Sequence, residues 1–449
     1  MKLQSKGKTQ EPTSFFQKWT ELYLACMATA WLLYTGSGYE HISQSKALLF
    51  FSLTGAFVLV SVLGRLELCL IGGRKCLSPL ECWKKWNMTQ RAVFLYWCAA
   101  LVSTLTSAHL NVAFLGNARY GGFVTITLYC WSFLLLSGGY TPRRWLLWLL
   151  AGAVSLNCLL SLAQLLGYNP LGLYPAGMTY YDANLRYAGT FLGSIGNVDI
   201  LSAVLCVAIP VLWISVLRLK TPWRFVLLIP LALCLAVLFW AFVAGGVVAV
   251  LLSVLFTPAV LAREKRRRVL LLALAVALLV VGVFTVYAVG DQIGGFPAEA
   301  SALLHGQWDD SFGSSRLYIW RKTAELISQR PLLGGGPDTL GLRADIGFER
   351  FNETTGTVIR AQVDDAHNEY LNILVNQGLL GLVAYLAVLL SALVTWLRRA
   401  PGDNVAAICG GGAFCYGIQA FFGIASPAST PLFWICMALC AGRREDKGE

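Results

Sequence analysis

The amino-acid sequence predicts an all-α integral membrane protein, a single polytopic domain over residues 1–449 with about twelve transmembrane helices. Hydrophobic residues make up 57% of the chain and charged residues only 13%, whereas soluble proteins carry roughly a quarter charged residues. The apolar residues are gathered into runs close to the roughly 20 residues that a helix needs to cross the hydrocarbon core. Basic residues cluster in alternate connections between these runs, as the positive-inside rule requires.

The apolar runs define the predicted spans in chain order. They lie at 19–36, 47–64, 92–108, 120–138, 145–166, 197–217, 223–241, 244–261, 269–289, 370–396, 405–423 and 428–442. No cleavable signal peptide is predicted, because the first run follows a long, basic and polar segment and lacks a small-residue cleavage site.

The basic residues predict that both ends of the chain lie in the cytoplasm. Under that arrangement, the cytoplasmic connections hold 25 of the 35 Lys and Arg residues. One missed or added helix would invert every later connection, so the agreement favours an even number of spans. The net charge of +11 is therefore assigned to orientation in the membrane rather than to nucleic-acid binding, and Arg263–Arg268 are placed to touch anionic lipid.

The longest connections between spans lie on the predicted extracytoplasmic side. Two long connections, 167–196 and 290–368, stand out because most of the others are short, and long ordered loops usually carry function. No metal site is predicted, since the four His are scattered and most of the 13 Cys lie inside apolar runs, where Cys behaves as a small hydrophobe.

The segment Asp364–Leu371, at the boundary between the long loop and the tenth span, carries the first catalytic candidate. Asp365 is predicted to be the N-cap of that span, with His367 and Glu369 in its first turn. Free amide groups and the helix dipole favour an anion at such a position. A His flanked by carboxylates suits taking a proton from a hydroxyl. The structural alternative is a capping turn with an interfacial His.

A second candidate is Arg316, which opens a predicted interfacial helix that runs to Gln329. Leu317, Trp320, Ala324 and Ile327 are predicted to share its apolar face. A guanidinium at that position could clamp a phosphate, although a solvated Arg is the simpler interpretation. The glycines at 334–336 resemble a phosphate-binding loop, but no Walker lysine follows them.

Two further arginines, Arg119 and Arg186, lie close to predicted membrane boundaries. A cation so close to hydrocarbon is costly unless paired, which makes both functional candidates. The tyrosines of the 167–196 loop could stack on sugars, but an interfacial aromatic belt is the favoured interpretation. They are Tyr174, Tyr180, Tyr181 and Tyr187. Together these features fit a substrate with a lipid tail, a diphosphate and a polar head.

The motifs in this order resemble the O-antigen ligase and polymerase superfamily from about residue 90 to the C-terminus. The resemblance rests on Ser315–Trp320 with Arg330–Gly336, Ala366–Leu371 with Gly378–Leu382, Arg186 with Gly189-Thr190 and Gly196-Asn197, and Arg119–Gly122 before the fourth span. Such enzymes move a glycan from an undecaprenyl-diphosphate carrier to an acceptor hydroxyl outside the cytoplasmic membrane, without metal or other cofactor.

The resemblance also implies roles for individual residues. His367 would deprotonate or orient the acceptor hydroxyl, and Arg316 and Arg186 would neutralise the leaving diphosphate, with inversion at the anomeric carbon. Substrate binding is further assigned to Arg119, Asn368, Glu369, Tyr187 and Trp320. The acceptor is a glycan, a lipid-linked glycan or a protein, so ligase and polymerase both stay open.

One departure from the family pattern concerns the turn between spans seven and eight. Many relatives carry Ser-Arg-Gly there, whereas this chain has Ala244 within Phe242–Gly246. Two alternatives to a glycosyltransferase are therefore kept. One is a transporter of bicarbonate or of a lipid-linked glycan, which would need ionisable residues at mid-membrane. The other is an inactive scaffold for envelope assembly.

Overall fold

A computed structural model describes residues 15–71, 78–182, 187–352 and 357–442. Its α-helices are α1 Phe15–Cys26, α2 Ile42–Leu70, α3 Pro79–Lys85, α4 Met88–Leu105, α5 Leu110–Leu115, α6 Phe123–Leu136, α7 Arg144–Leu165, α8 Val198–Arg218, α9 Leu228–Trp240, α10 Ala244–Leu261, α11 Lys265–Ile293, α12 Gly295–Leu304, α13 Phe312–Ile327, α14 Leu340–Arg343, α15 Glu369–Arg399, α16 Asn404–Gln419 and α17 Thr430–Ala441. The described strands form two antiparallel pairs, β1 Phe191–Leu192 with β2 Gly196–Asn197 and β3 Gly347–Asn352 with β4 Thr357–Gln362.

A helix occupies each of the twelve predicted apolar segments, although the first is interrupted by a π-helical turn at Met27–Trp31. Within the described residues, seven helices are long and apolar enough to cross a membrane. They are Tyr39–Leu70, Arg144–Leu165, Val198–Arg218, Pro222–Trp240, Ala244–Leu261, Lys265–Ile293 and Glu369–Arg399. The helical, multi-pass membrane class is confirmed, whereas the count of twelve crossings and the side of each end stay predictions.

Helix α8 forms the centre of the bundle. In its most apolar stretch 83% of residues are buried, against 6% in α11. α16 packs closely along α8 because glycines leave room for it. A Cβ atom on Gly411 would lie 2.2 Å from Ile214 Cδ1, and one on Gly412 would lie 2.9 Å from the Val207 carbonyl oxygen. Small residues at this crossing let the two backbones approach, as in other membrane helix pairs.

Helices α8, α10 and α15 begin at the same end of the bundle, which we call the site end. At the opposite end, Arg218 of α8 donates to the carbonyl oxygens of Ala400 (2.6 Å) and Leu261 (3.4 Å), which directly follow α15 and end α10. These three helices therefore run parallel. Their N-termini, which carry partial positive charge, all lie at the site end.

Helix α15 is broken at Gly378, whose φ of 69° and ψ of −173° are not helical. The segment 331–336 runs beside the break and replaces the lost hydrogen bonds. Leu379 N donates to the Pro331 carbonyl (2.8 Å), and Gly336 N donates to the Asn376 carbonyl (2.7 Å). Two of the glycines predicted to resemble a phosphate-binding loop therefore donate their amide hydrogens to carbonyl oxygens of the broken helix.

Two glycines make this close approach possible. A Cβ atom on Gly378 would lie 2.3 Å from the Leu332 carbonyl, and one on Gly334 would lie 2.4 Å from the Asn376 backbone. Arg343 completes the junction, because its Nη2 donates to the Val375 carbonyl (2.9 Å) at the end of the first half of α15. The break is stabilised by these contacts, and it fixes how the first half of α15 packs against the segment 331–336.

The segment between α11 and α15 packs on α15 through its own small apolar cluster, and α13 contributes to it. The buried face of α13 is formed by Ile319 and Thr323, with Leu326 and Ile327 partly buried. The predicted apolar face was wrong for Ala324, which is exposed, whereas Leu317, Trp320 and Ile327 are partly buried. The error arises because three left-handed residues, Gly313, Ser314 and Ser315, precede the regular helix and shift its phase.

The 167–196 connection folds onto the start of α2 through aromatic side chains. Tyr39 donates to the Gly193 carbonyl (3.0 Å), and the rings of Tyr174, Tyr187 and Phe191 surround it at centroid distances of 5.1, 6.0 and 5.4 Å. These contacts favour a structural role for the loop tyrosines.

Candidate functional site

The turn that carries His367 precedes α15. The N-cap is Asn368, whose Oδ1 accepts from Leu371 N (3.0 Å), so the predicted N-cap, Asp365, was wrong. His367 lies one residue before the cap with a φ of 50°, not in the first turn. Asp365 instead accepts from His367 N (2.8 Å) and from the Asn372 side-chain amide (2.8 Å). These two bonds hold the left-handed turn and present the imidazole at the site end.

Arg316 forms an ion pair with Asp199 of α8. Its Nη2 lies 3.1 and 3.2 Å from the two carboxylate oxygens, and both side chains are about one-fifth exposed. Asp199 is in the first turn of α8, whose N-cap is Asn197. The left-handed run 313–315 directs Arg316 toward α8, since Arg316 Nη1 also donates to the Gly313 carbonyl (2.9 Å).

Arg119 forms a second pair, with Asp364. Its Nη2 donates to Asp364 Oδ1 (3.1 Å), and its Nε lies 3.0 Å from Oδ2. Asp338 fixes the loop that carries Arg119, because its Oδ2 accepts from the backbone amides of Asn117 (2.6 Å) and Gly121 (3.0 Å). The sequence prediction that a cation so close to the membrane needs a partner is thus met by Asp364.

The imidazole of His367 is held in its neutral form. Burial lowers the pKa of His367 from 6.5 to about 4. The negative charge of Asp199 opposes this shift, and the positive charges of Arg316 and Arg119 reinforce it. Residues more than 40 positions apart in the chain therefore surround one imidazole closely enough to set its charge.

The pKa values of two neighbouring carboxyl groups, Asp365 and Asp338, are shifted upward. Burial raises the pKa of Asp365 to about 8, although Arg119 and the His367 amide act against it. Burial also raises the pKa of Asp338 to about 6, against the amides of Asn117 and Gly121. The pKa of Arg119 itself is raised, because Asp364 and the neighbouring carboxylates outweigh its burial. Arg119 is therefore a permanent cation in this network.

Three buried donors at the site make no hydrogen bond among the described residues: Arg119 Nε, which faces Asp364 only as an ion pair, and Arg316 Nε and Trp320 Nε1 on α13. Positions i and i+4 share one face of a helix, so the latter two donors lie on the same side of α13. A buried donor without a partner is costly and calls for an explanation in a native structure. Oxygens of a bound anion would satisfy both α13 donors.

Glu369 and Asn368, predicted to bind substrate, have protein partners. Asn368 caps α15, and the Glu369 carboxylate accepts from the hydroxyls of Tyr385 and Tyr416. Glu369 lines a polar cavity that also reaches Arg119 and that offers about 70 Å³ to the centres of water molecules. The substrate-binding roles of Asn368 and Glu369 stay predictions.

The structure brings His367, Arg316 and Arg119 together, with Trp320 beside them. Arg186 lies outside the described residues, and Tyr187 belongs to the aromatic cluster on Tyr39, so their roles stay predictions. Three carboxylates were missed as partners: Asp199, Asp364 and Asp338. Of the three, only Asp199 lies where the sequence pointed to function, two residues after the Gly196-Asn197 motif at the start of a span.

Comparison with known families bears on the family that the motifs resemble. No curated protein matches the chain. A family model described as O-antigen ligase matches residues 229–386, which include Arg316, Trp320 and His367. The resemblance predicted from the motifs is therefore confirmed over residues 229–386, which are similar to the O-antigen ligase family.

Proposed function

We propose that this protein transfers a glycan from an undecaprenyl-diphosphate carrier to an acceptor hydroxyl at the extracytoplasmic face of the cytoplasmic membrane. One observation carries the proposal: a neutral imidazole, His367, lies within electrostatic reach of two arginines, each paired with an aspartate. That set supplies a proton acceptor and cations for a leaving phosphate, and it requires no metal.

Donor binding begins at Arg316. The diphosphate oxygens displace the Asp199 carboxylate and accept from the free donors Arg316 Nε and Trp320 Nε1. The converging N-termini of α8, α10 and α15 add a field that favours an anion. Arg119 supplies a second cation, which compensates for Ala244 where many relatives carry an arginine.

Proton transfer falls to His367. The bound diphosphate brings negative charge close to the imidazole, which raises the pKa of His367 from its low value and strengthens it as a base. The imidazole then takes the proton of the acceptor hydroxyl. A neutral His367 is the form that this step requires.

Bond exchange at the anomeric carbon completes the reaction. The acceptor oxygen attacks this carbon from the side opposite the phosphate, a new glycosidic bond forms, and the old C–O bond breaks. The diphosphate leaves with the electron pair, and Arg316 stabilises its developing charge. Attack from the opposite face inverts the anomeric configuration.

Reconstitution tests the proposal. Purified protein in liposomes is given an undecaprenyl-diphosphate glycan with candidate acceptors, and the products are analysed by mass. We expect a product enlarged by the glycan, together with free undecaprenyl diphosphate. The identity of the acceptor in that product separates ligase from polymerase. Turnover of the carrier without any glycan bond to an acceptor would refute the proposal.

The transporter alternative finds less support in the charge distribution. Asp199 and Glu369 lie in the first turns of α8 and α15. Asp199 is paired to Arg316, and Glu369 accepts from two tyrosines. An ion path needs ionisable groups along mid-membrane, whereas these lie at helix ends.

A further inference from the structure

The polar side chains of α15 form a hydrogen-bonded chain that begins at the turn of His367. Asp365 accepts from the backbone amide of His367 and from Asn372 Nδ2, at 2.8 Å each. Asn372 Oδ1 in turn accepts from Asn376 Nδ2 (3.1 Å), one helical turn later. Because positions i and i+4 share a helix face, the two asparagines connect the His367 turn with the residues directly before the break at Gly378.

The far end of this chain is anchored in the segment beside the break. Asn376 Oδ1 accepts from Arg343 Nη2 (3.0 Å), and Arg343 Nε donates to the Thr339 hydroxyl (3.0 Å). That hydroxyl donates to the Gly336 carbonyl (2.7 Å), and the Gly336 amide donates to the Asn376 carbonyl. Asn376 is 3% exposed and Thr339 is fully buried, so this end of the chain is enclosed by the protein.

We propose that Asn372 is a positioning residue for His367, an inference that rests on the proposed function. His367 has a left-handed backbone (φ 50°), which a non-glycine residue adopts only with support from its surroundings. Asp365 gives that support, and Asn372 orients Asp365 through the hydrogen bond from its Nδ2. Asn372 therefore acts on the acceptor hydroxyl only through the placement of the imidazole.

A purely structural role for the two asparagines makes a different prediction. Polar side chains in an apolar helix need partners, and mutual hydrogen bonds would satisfy them anywhere along α15. Here the bonds run without a gap from the His367 amide to the Gly336 carbonyl, so the chain joins the turn of His367 to the break. Loss of Asn372 should therefore slow the chemical step, whereas a merely structural role predicts a lower melting temperature alone.

The kinetics of Asn372→Ala test the proposal. We expect kcat for glycan transfer to fall about tenfold, the ratio equivalent to one hydrogen bond. The donor KM should stay within twofold of the wild type, because Arg316 is untouched. An unchanged kcat, or a donor KM that rises as much as kcat falls, would overturn the proposal.

Asn87→Ala is the matched control for these kinetics. Asn87 also donates one hydrogen bond, to the Ala441 carbonyl (3.0 Å), and accepts one, from Gln90 N (2.9 Å). It lies where α17 ends beside the last turn of α15, away from the site end. We expect kcat in Asn87→Ala to equal that of the wild type, and a loss as large as in Asn372→Ala would contradict the positioning role.

Asn376 tests whether the chain acts through Asn372. Asn376→Ala removes the acceptor of Arg343 and leaves Asn372 bonded to Asp365, so kcat should fall less than in Asn372→Ala. The double variant should be no slower than Asn372→Ala, since both substitutions interrupt the same chain. Independent losses that multiply in the double variant would contradict a single chain.

A spectroscopic measurement follows His367 without turnover. The chain has four His, so isotope labels on the histidine rings give four nuclear magnetic resonance signals, and His367→Ala identifies the one from His367. We expect this signal to shift or broaden in Asn372→Ala and in Asn376→Ala, and to stay unchanged in Asn87→Ala. An unchanged His367 signal in both α15 variants would overturn the proposal. Because no glycan is transferred in this measurement, failure of the positioning role and failure of the proposed function remain distinguishable.

Discussion

The two arginine–aspartate pairs beside His367 have similar distances but different surroundings. Arg119 and Asp364 belong to a network in which Asp338 ties the Arg119 loop to the protein through two backbone amides. Arg316 and Asp199 join α13 to α8. Both arginines retain a buried Nε without a hydrogen-bond acceptor, so the pairs differ in the carboxylates Asp365 and Asp338, which also act on Arg119. The first arrangement fixes a cation in place, whereas the second leaves a cation able to exchange its partner. We therefore assign positioning to Arg119 and donor binding to Arg316.

The largest effect is expected from His367→Ala, which removes the proton acceptor that both pairs surround. We expect the transfer rate to fall by ~10²–10⁴-fold, the usual contribution of a positioned base. His305→Ala is the matched control, because His305 stacks on Tyr287 at 4.1 Å and bonds to the Ser301 carbonyl. Initial rates of glycan transfer from purified donor test this expectation. Equal rates in His367→Ala and His305→Ala would show that His367 is not the base.

Lysine substitutions distinguish the roles of Arg316 and Arg119. Arg316→Lys loses the planar fork and should lower kcat/KM by roughly 100-fold, as for loss of a transition-state donor. Arg119→Lys keeps the charge near Asp364 and should lower kcat/KM about tenfold, the equivalent of losing one charge-assisted hydrogen bond. Steady-state kinetics on both variants test this order. A larger loss in Arg119→Lys would reverse the roles assigned to the pairs.

Asp338→Asn probes the anchor of the Arg119 loop. The neutral amide accepts more weakly from Asn117 N and Gly121 N, which loosens the loop at a cost of about 1 kcal/mol. We expect the donor KM to rise about fivefold, the same energy expressed as a ratio. Asp309→Asn, on an exposed turn, is the control. A fall in melting temperature without any change in KM would make Asp338 purely structural.

The last effect concerns the pH dependence of stability. Since the pKa of Asp365 is raised to about 8 in the folded protein, the folded state holds a proton that the unfolded state releases above pH 4. Stability therefore falls as pH rises from 4 through 8. Each pH unit in that window corresponds to about 1.4 kcal/mol at most.

Asp365→Asn should remove this slope. We expect the melting temperature of the wild type to fall between pH 6.5 and 8, and that of the variant to fall less. His367 opposes this slope up to about pH 7.5, because its unfolded form is still partly protonated there while its folded form is neutral. Parallel melting curves for the two proteins would contradict the buried, protonated state of Asp365.

Sequence predicted the helical membrane class and the approximate position of each helix, because long apolar runs and basic connections are local signals. It also selected His367, Arg316 and Arg119. The partners Asp364 and Asp338 could not be predicted, since they lie 245 and 217 or more positions from the groups they bind. Such pairings depend on how the loops before α6, α14 and α15 meet in space.

Local backbone detail was the other source of error. Asp365 has the composition of an N-cap, but a left-handed His367 turns the chain before the helix begins, and Asn368 takes the cap. Positive φ in a non-glycine residue is rare and depends on tertiary support. The same reason explains the phase of α13, which three left-handed residues precede.

The exchange of partners at Arg316 is best tested by the affinity of undecaprenyl diphosphate for Asp199→Asn and Arg316→Ala. Removing the competing carboxylate frees the guanidinium, so Asp199→Asn should bind the diphosphate more tightly than the wild type. Arg316→Ala should bind it at least tenfold more weakly, and the double variant should resemble Arg316→Ala. Weaker binding in Asp199→Asn, or unchanged binding in Arg316→Ala, would contradict the account.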